Sequence, residues 1–313
     1  MKGKGFAAVL GLDSESLLQQ IQSGELAIDK SRKVLTYRYK IPEHLCDSND
    51  ETKSKIFPLS GFLSLFDELT TLAILADESS GNRPGVSTSL YAELGPAGLR
   101  RRGILTGDEV EIKASIIRLG QNIAFTKAEV IDIVSGDVVC FGRHTKYLPG
   151  NIVQDALLRN AMPLLVKYAS MKNNPTHEIE TKPLLRDLLA LSPLSHSSMD
   201  QETNEDDARM TFTLQDIHKN GFGSLHGGMQ AMVMESFGRK QIEKDLKCKA
   251  PTLFSINVSY FSSAKEDVVI DGKTNNIETA GSSMTVKLSR LGDKKILSEG
   301  FLQWRHNIMQ SKI

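Results

Sequence analysis

The stretch Leu59–Ala76, LSGFLSLFDELTTLAILA, is the most apolar run in the first half of the chain, and its reading decides the fold. A helix of that composition is buried nearly all round, so other elements must surround it. Before it, Lys33–Ile41 alternates, with Leu35, Tyr37 and Tyr39 set between Val34, Thr36 and Arg38, which predicts a strand. A polar break, Asp47–Lys55, separates that strand from the helix. After the helix come four strand-like runs, Gly85–Leu94, Asp108–Leu119, Ile123–Val134 and Asp137–Leu148. Turn residues divide them: Gly95-Pro96, Gly107-Asp108, Gly120-Gln121-Asn122 and Ser135-Gly136-Asp137. Ahead of all these, residues 13–28 read as a surface helix with Leu17, Leu18, Ile21 and Leu26 on one side.

The second half repeats the order. Asp207–Ile217 alternates as a strand, a Gly-rich turn leads into a helix over Gly227–Asp245, and strand-like runs follow at Thr252–Ser262, Asp267–Ile277, Ser283–Leu291 and Lys295–Arg305. Strand, buried helix and four strands, twice over, is an internal repeat. Between the copies, Asn151–Met171 reads as an amphipathic helix and Ser195–Asp207, rich in Ser, Asp and Glu, as a mobile linker. The implied division is an N-terminal unit over 1–150, a connection over 151–206 and a C-terminal unit over 207–313. One long helix packs against five antiparallel strands only if the sheet curls around it. That is an α+β fold, the hot-dog arrangement, with a curved sheet wrapped around a central helix. A single copy leaves a sheet edge open, and two copies in one chain close it as an intrachain pseudo-dimer.

The bulk numbers fit. A chain of 313 residues has room for two cores, and 40% hydrophobic with 24% charged residues excludes wholesale disorder. Lys+Arg and Asp+Glu both number 38, so no bulk charge argues for nucleic acid. Cys46, Cys140 and Cys248 are scattered, without metal-ligand spacing or a disulfide framework, which predicts a reducing compartment. No run of membrane-spanning length is expected, and the cytosol is the expected location with an organelle left open.

The second copy reads Asn220-Gly221-Phe222-Gly223-Ser224-Leu225-His226-Gly227-Gly228, then Met229 through Glu235 inside the helix. This resembles the hot-dog acyl-CoA thioesterases of the phenylacetate-thioesterase branch, whose signature is an Asn, a Leu-His-Gly-Gly turn and an acid in the following helix. The first copy resembles the same family through Phe66-Asp67-Glu68, Pro84-Gly85-Val86-Ser87 and Gly95-Pro96-Ala97. It does so again through the run from Arg118 to Thr126 and through Gly142-Arg143-His144-Thr145-Lys146. The resemblance covers residues 33–148 and 207–305.

Elementary chemistry points at the same residues. Gly227 opens a helix, so its N–H lacks an intrahelical partner and lies at the positive end of the macrodipole. Such a group suits the oxyanion that forms when a thioester is attacked. Glycine at 227 and 228 is expected to let the acyl carbonyl approach the backbone, with Asn220 and His226 orienting the thioester or the turn. Taken alone, these residues would be an ordinary polar turn capped by a histidine. The family's acid falls nine residues after the His, at Glu235 in the second copy, and the aligned residue of the first copy is Asp67, not Glu68. Asp67 stands in an almost wholly apolar run, where a carboxylate is costly unless used or paired.

In the family the turn comes from one subunit and the acid from the other. The resemblance therefore implies one site that joins Asn220, His226 and Gly227 to Asp67. The reciprocal site would pair Glu235 with Pro58-Leu59-Ser60 in place of His-Gly-Gly, and with Thr52 in place of the Asn. Proline has no N–H, leucine restricts approach and Glu reaches one methylene further than Asp, so that site is expected to be degenerate. The implied reaction is hydrolysis of acyl-CoA to free acid and CoA, with Asp67 as general base on water or as nucleophile. CoA is part of the substrate, and no metal or redox cofactor is implied. Arg118, Gly120, Gln121 and Asn122, with Arg143, are implied contacts for the CoA, and an ordinary β-turn with solvated charges reads equally well. Gly228 is expected beside the substrate, and either Ser87 or Thr88 behind Asp67. Pairing of two such chains into a homodimer stays open. The competing reading is a non-catalytic acyl-CoA sensor or assembly protein on a decayed thioesterase scaffold. What discriminates is whether Asp67 and Gly227 still lie within reach of each other. No Gly-x-Ser-x-Gly elbow occurs, which disfavours serine-hydrolase chemistry.

Overall fold

The computed structural model describes residues 6–48, 55–77, 83, 85–101, 104–149, 185–193, 209–246, 251–277 and 281–306. The expected helix at 151–171, the polar run at 195–207 and Thr52 lie outside them. In chain order the helices are α1 (Phe6–Val9), α2 (Ser14–Ser23), α3 (Leu59–Ala76), α4 (Pro96–Arg101), α5 (Leu185–Leu188) and α6 (Gly227–Leu246). The strands of the first copy are β1 (Leu26–Asp29), β2 (Val34–Lys40), β5 (Val86–Leu94), β7 (Glu109–Leu119), β8 (Ile123–Asp132) and β9 (Val138–Tyr147). A separate small ribbon holds β3 (Asp47–Ser48), β4 (Lys55–Phe57) and β6 (Ile104–Leu105). The second copy contributes β10 (Leu191–Pro193), β11 (Arg209–Phe212), β12 (Thr252–Tyr260), β13 (Val268–Ile277), β14 (Gly281–Arg290) and β15 (Ile296–Arg305).

Twelve strands form one antiparallel sheet in the order β1-β2-β7-β8-β9-β5-β12-β15-β14-β13-β11-β10. The joint between the copies is the pairing of β5 with β12, in register from Ser89 opposite Ser259 to Glu93 opposite Ser255. Both core helices belong to one apolar cluster, which holds Phe62, Phe66 and Leu69 together with Met229, Met232 and Trp304. The helices touch where Gly228 lies against Ser64: a Cβ at 228 would stand 2.4 Å from the Ser64 hydroxyl oxygen. This is the α+β hot-dog arrangement, built twice.

Two expectations are corrected. The helix expected over 13–28 stops at Ser23, because Gly24 takes a positive φ of 78°. That left-handed residue ends the helix, and Leu26–Asp29 turns back to pair with β2 as a short edge strand. The strand expected over Asp207–Ile217 is kept only as Arg209–Phe212, and a 3-10 turn follows at Asp216–His218. The expectation on apolar runs is also sharpened. By length and composition α3 can cross a membrane, with a hydropathy of 1.4 over 18 residues, but the fold buries 72% of that stretch. The curved sheet takes the place that lipid would have.

The repeat is visible in the register. β9 and β15 bury alternate residues in an identical pattern. A Cβ at Gly142 of β9 would strike Phe66, and one at Gly300 of β15 would strike Met234. Phe66 and Met234 immediately precede Asp67 and Glu235, so the two acids occupy equivalent places.

Candidate active site

Asp67 sits midway along α3, 6% exposed, in the cage that the curved sheet makes. Inward-facing residues of β9 and β5 reach it. The Ser87 hydroxyl donates to Asp67 Oδ1 at 2.9 Å, and the Lys146 ammonium lies 3.5 Å from the same oxygen. Lys146 is itself 4% exposed and donates to Thr71 Oγ1 at 2.7 Å. His144 Nε2 lies 3.0 Å from the Ser87 oxygen. An ionised carboxylate only accepts, so the Ser87 proton goes to Asp67 and His144 must donate to Ser87. His144 Nδ1 lies 2.6 Å from the hydroxyl oxygen of Thr70, which itself donates to the Phe66 carbonyl at 2.5 Å.

Burial pushes the Asp67 carboxyl up, but Lys146, His226, His144 and the Ser87 hydroxyl together outweigh it and hold the group far below the usual carboxylate range. Burial and then Lys146 push His144 down to about 3, so its ring is neutral. Asp67 is therefore anionic at neutral pH, with Oδ1 fully engaged. Oδ2 accepts no hydrogen bond among the described residues, and it faces the second copy.

There it meets the first turn of α6. A Cβ at Gly227 would lie 2.8 Å from Asp67 Oδ2, so only glycine lets the carboxylate stand this close to the helix end. The Gly227 N–H makes no hydrogen bond among the described residues. Its carbonyl accepts from the Tyr260 hydroxyl at 2.8 Å, which ties the turn to β12. The turn before it is shaped by Asn220, whose Oδ1 accepts from the N–H of Phe222 at 2.9 Å and of Ser224 at 3.2 Å. His226 N–H donates to the carbonyl of His218 at 2.9 Å. The site thus brings an ionised carboxylate of one copy against the unpaired N–H end of a helix from the other.

Comparison with known proteins agrees with this architecture. No family model matches the chain. Over 102 residues it is 31% identical to acyl-coenzyme A thioesterase 13 of Homo sapiens, an alignment that spans 32% of this chain and 66%, just under two thirds, of that protein. The Mus musculus protein of the same name is 29% identical over 126 residues, 38% of this chain and 84% of its own length. Among solved structures, the 12:0-ACP thioesterase of Umbellularia californica superposes with a TM-score of 0.57 at 12% identity, covering 88% of this chain and 95% of that one. The superposition shows the fold that the chain shares with that structure, the hot-dog fold.

Within that fold the two equivalent places differ sharply. Glu235 is 2% exposed; its Oε2 accepts from the Ser60 N–H at 2.9 Å, and its Oε1 pairs with Arg239 at 2.9 Å. The first turn of α3 after Pro58 and Leu59 is therefore already capped by this carboxylate. On the strands, register sets Ser87 opposite Lys146 in β5–β9 and Leu253 opposite Trp304 in β12–β15. The residues equivalent to Ser87, His144 and Lys146 are thus Leu253, Leu302 and Trp304. The polar cage is replaced by hydrocarbon and an indole.

Other expected residues fall in different places. Ser87, not Thr88, lies behind Asp67; the Thr88 hydroxyl donates to the Thr145 carbonyl at 3.0 Å. Glycine at 227 and 228 was expected to admit the acyl carbonyl; what it admits is Asp67 at 227 and Ser64 at 228. The Gly228 N–H is taken by His226 Nδ1 at 3.0 Å. Asn220 braces the turn and makes no hydrogen bond to Asp67. Arg118, Gly120, Gln121 and Asn122 form the β7–β8 turn at the surface, where Ala124 pairs with Lys146 close by. Arg143 points outward from β9, on the face away from Asp67. Lys146, His144, Tyr260 and Glu68 were given no role from sequence. A readable signal existed for two of them: the alternation of β9 puts His144 and Lys146 on the same inner face as Cys140 and Gly142.

Proposed function

We propose that the chain hydrolyses an acyl-CoA thioester to free acid and CoA at the single site between Asp67 and the first turn of α6. The observation that carries this reading is the approach of Asp67 Oδ2 to Gly227, whose N–H is unpaired. The thioester carbonyl would direct its oxygen at that N–H and the positive end of α6, which stabilise the oxyanion as it forms. Water held at Oδ2 attacks the carbonyl carbon, and its proton passes to Oδ2. The tetrahedral intermediate collapses by breaking the C–S bond. CoA leaves as a thiolate, which needs no strong acid because a thiol has a pKa of about 8.5.

The depressed pKa of Asp67 bears on how it acts. A carboxylate held this low stays ionised across the working range but is a weak base. Its main contribution is then to orient the water and to take up the proton only as the transition state develops, rather than to act as a nucleophile. Ser87 and Lys146 fix its angle by engaging Oδ1. The exposed β7–β8 turn, Arg118 through Asn122, is our choice for contacts to the CoA nucleotide, since it stands at the same end of the sheet.

The test is a panel of acyl-CoAs of graded chain length, assayed for free thiol. Turnover above background for part of the series supports the reading. Tight acyl-CoA binding with no thiol release would establish a sensor on the same scaffold instead.

A further inference from the structure

His226 is bound at both ring nitrogens, and the two bonds fix its proton. A backbone N–H can only donate, so His226 Nδ1, 3.0 Å from the Gly228 nitrogen, must be the unprotonated acceptor. The ring proton is then on Nε2, which lies 2.5 Å from Glu68 Oε1 and 3.8 Å from Asp67 Oδ2. Glu68 belongs to α3 of the first copy and Gly228 to α6 of the second. The imidazole, 3% exposed and packed on the Phe6 ring at 5.2 Å, is a strut between the two helices at the turn that presents Gly227.

We propose that Glu68 is a positioning residue: by holding the Nε2-protonated form of His226 it fixes the first turn of α6 and aims the Gly227 N–H. This deepens, and rests on, the reading of that site as a thioester hydrolase. Neither ring nitrogen is left to exchange a proton with substrate, so His226 acts through geometry and not as an acid or base. The arrangement carries a built-in conflict. A second proton on the ring must go to Nδ1, where it faces the Gly228 N–H and breaks that bond. Glu68 favours that second proton as well as the first.

The groups facing the ring set the balance. They are Glu68 and Asp67 from α3 and Lys146 and His144 from β9, while Tyr260 of β12 holds the adjoining Gly227 carbonyl. Burial lowers the imidazole, but the Glu68 hydrogen bond and the charges of Glu68 and Asp67 outweigh it and raise the group above its ordinary value. Asp67 and His144 titrate far lower. The first event on acidification is therefore protonation of His226 and release of the turn.

The experiment uses the full chain with Glu68→Gln and Glu68→Ala. A glutamine oxygen still accepts from Nε2 but removes the charge, whereas alanine removes the acceptor. Turnover of the best acyl-CoA at pH 8 is expected to stay within a few-fold for Glu68→Gln. For Glu68→Ala it should fall about 10–100-fold in kcat with KM little changed, as for lost transition-state alignment. The acid limb of the pH–rate profile should move to lower pH by about one unit in Glu68→Gln. Independently of activity, imidazole ¹⁵N shifts of the wild-type chain at pH 8 should report His226 protonated on Nε2, and Glu68→Ala should lose that single form. A wild-type ring protonated on Nδ1, or an acid limb unmoved in Glu68→Gln, overturns the strut. Wild-type chain with the expected ring form but no turnover on any acyl-CoA overturns the proposed reaction and leaves the strut standing.

Discussion

Asp67 spends one oxygen on its supports and keeps the other for the facing helix, and that division makes two predictions at the scale of the residue. Asp67→Asn keeps size and most hydrogen bonding but removes the anion that orients water. Acyl-CoA turnover should fall by roughly 10²–10⁴-fold with binding retained, measured as kcat and as Kd for a non-hydrolysable thioether analogue. Unchanged turnover in a folded Asp67→Asn chain would end the mechanism. The second prediction concerns Lys146, the nearest cation in effect on Asp67. The folded carboxyl is depressed, so it contributes stability above its unfolded pKa of about 3.9, and that contribution is lost as pH falls below it toward the folded value. Lys146→Met removes the principal cause of the depression and leaves a buried carboxylate less compensated. Acid unfolding followed by circular dichroism should then begin at higher pH than in the wild type. An unmoved midpoint would mean that His144, His226 and Ser87 hold the anion without it.

The two core helices and the strands beside them show how one element plan yields one polar site and one sealed one. In the first copy the cation is on the sheet: Lys146 of β9 faces Asp67, and Thr71 of α3 accepts from it. In the second the cation is on the helix: Arg239 of α6 pairs with Glu235 and stacks 5.4 Å over Trp304, which fills the strand position. Glu235 thereby becomes a structural cap on α3 through the Ser60 N–H. Glu235→Ala should cost about 2–4 kcal/mol, since it leaves the buried Ser60 N–H without its acceptor and takes the carboxylate from Arg239, which keeps its bond to the Pro251 carbonyl. It should lower Tm by several degrees while kcat/KM per folded molecule stays within a few-fold. Loss of activity without loss of stability would assign Glu235 to chemistry. The acid at each place was legible, Asp67 as a carboxylate in an almost wholly apolar run and Glu235 through the family's spacing of nine residues after the His. The sequence also carried the failed turn, because proline cannot supply an N–H. It could not carry the fate of Glu68: adjacent to Asp67, it reads as surface charge until the opposite helix supplies His226. Nor could it tell whether Gly227 and Gly228 admit substrate or neighbouring side chains, since that depends on how closely α3 and α6 approach.

At the scale of the whole molecule, the strand–helix–strands order was legible twice because the strands alternate and α3 and the first half of α6 are apolar. The pairing of β5 with β12 was expected only in general terms, as an edge that needed a partner. The extra edge strands β1 and β10 were not expected, being four and three residues long and too short for a periodic signal. The consequence of the β5–β12 joint is energetic as well as geometric. Leu90 and Ala92 face Val258 and Ile256 across it, and all four are buried. Cross-copy contacts continue inward through Gly228 on Ser64, His226 on Glu68 and Glu235 on Ser60. Separating the copies would expose apolar core, take Ser60 from Glu235 and take His226 from Asp67, so neither half has a stable state of its own to melt into. The described structure should therefore unfold as one cooperative unit. Calorimetry should give a single endotherm whose van't Hoff and calorimetric enthalpies agree, and amides of Leu90, Ala92, Ile256 and Val258 should exchange only through global unfolding. Two resolved endotherms, or exchange at the joint faster than in the centre of either half, would show that the copies fold apart. The Asp67–Gly227 site would then be an encounter between domains rather than a feature of one core.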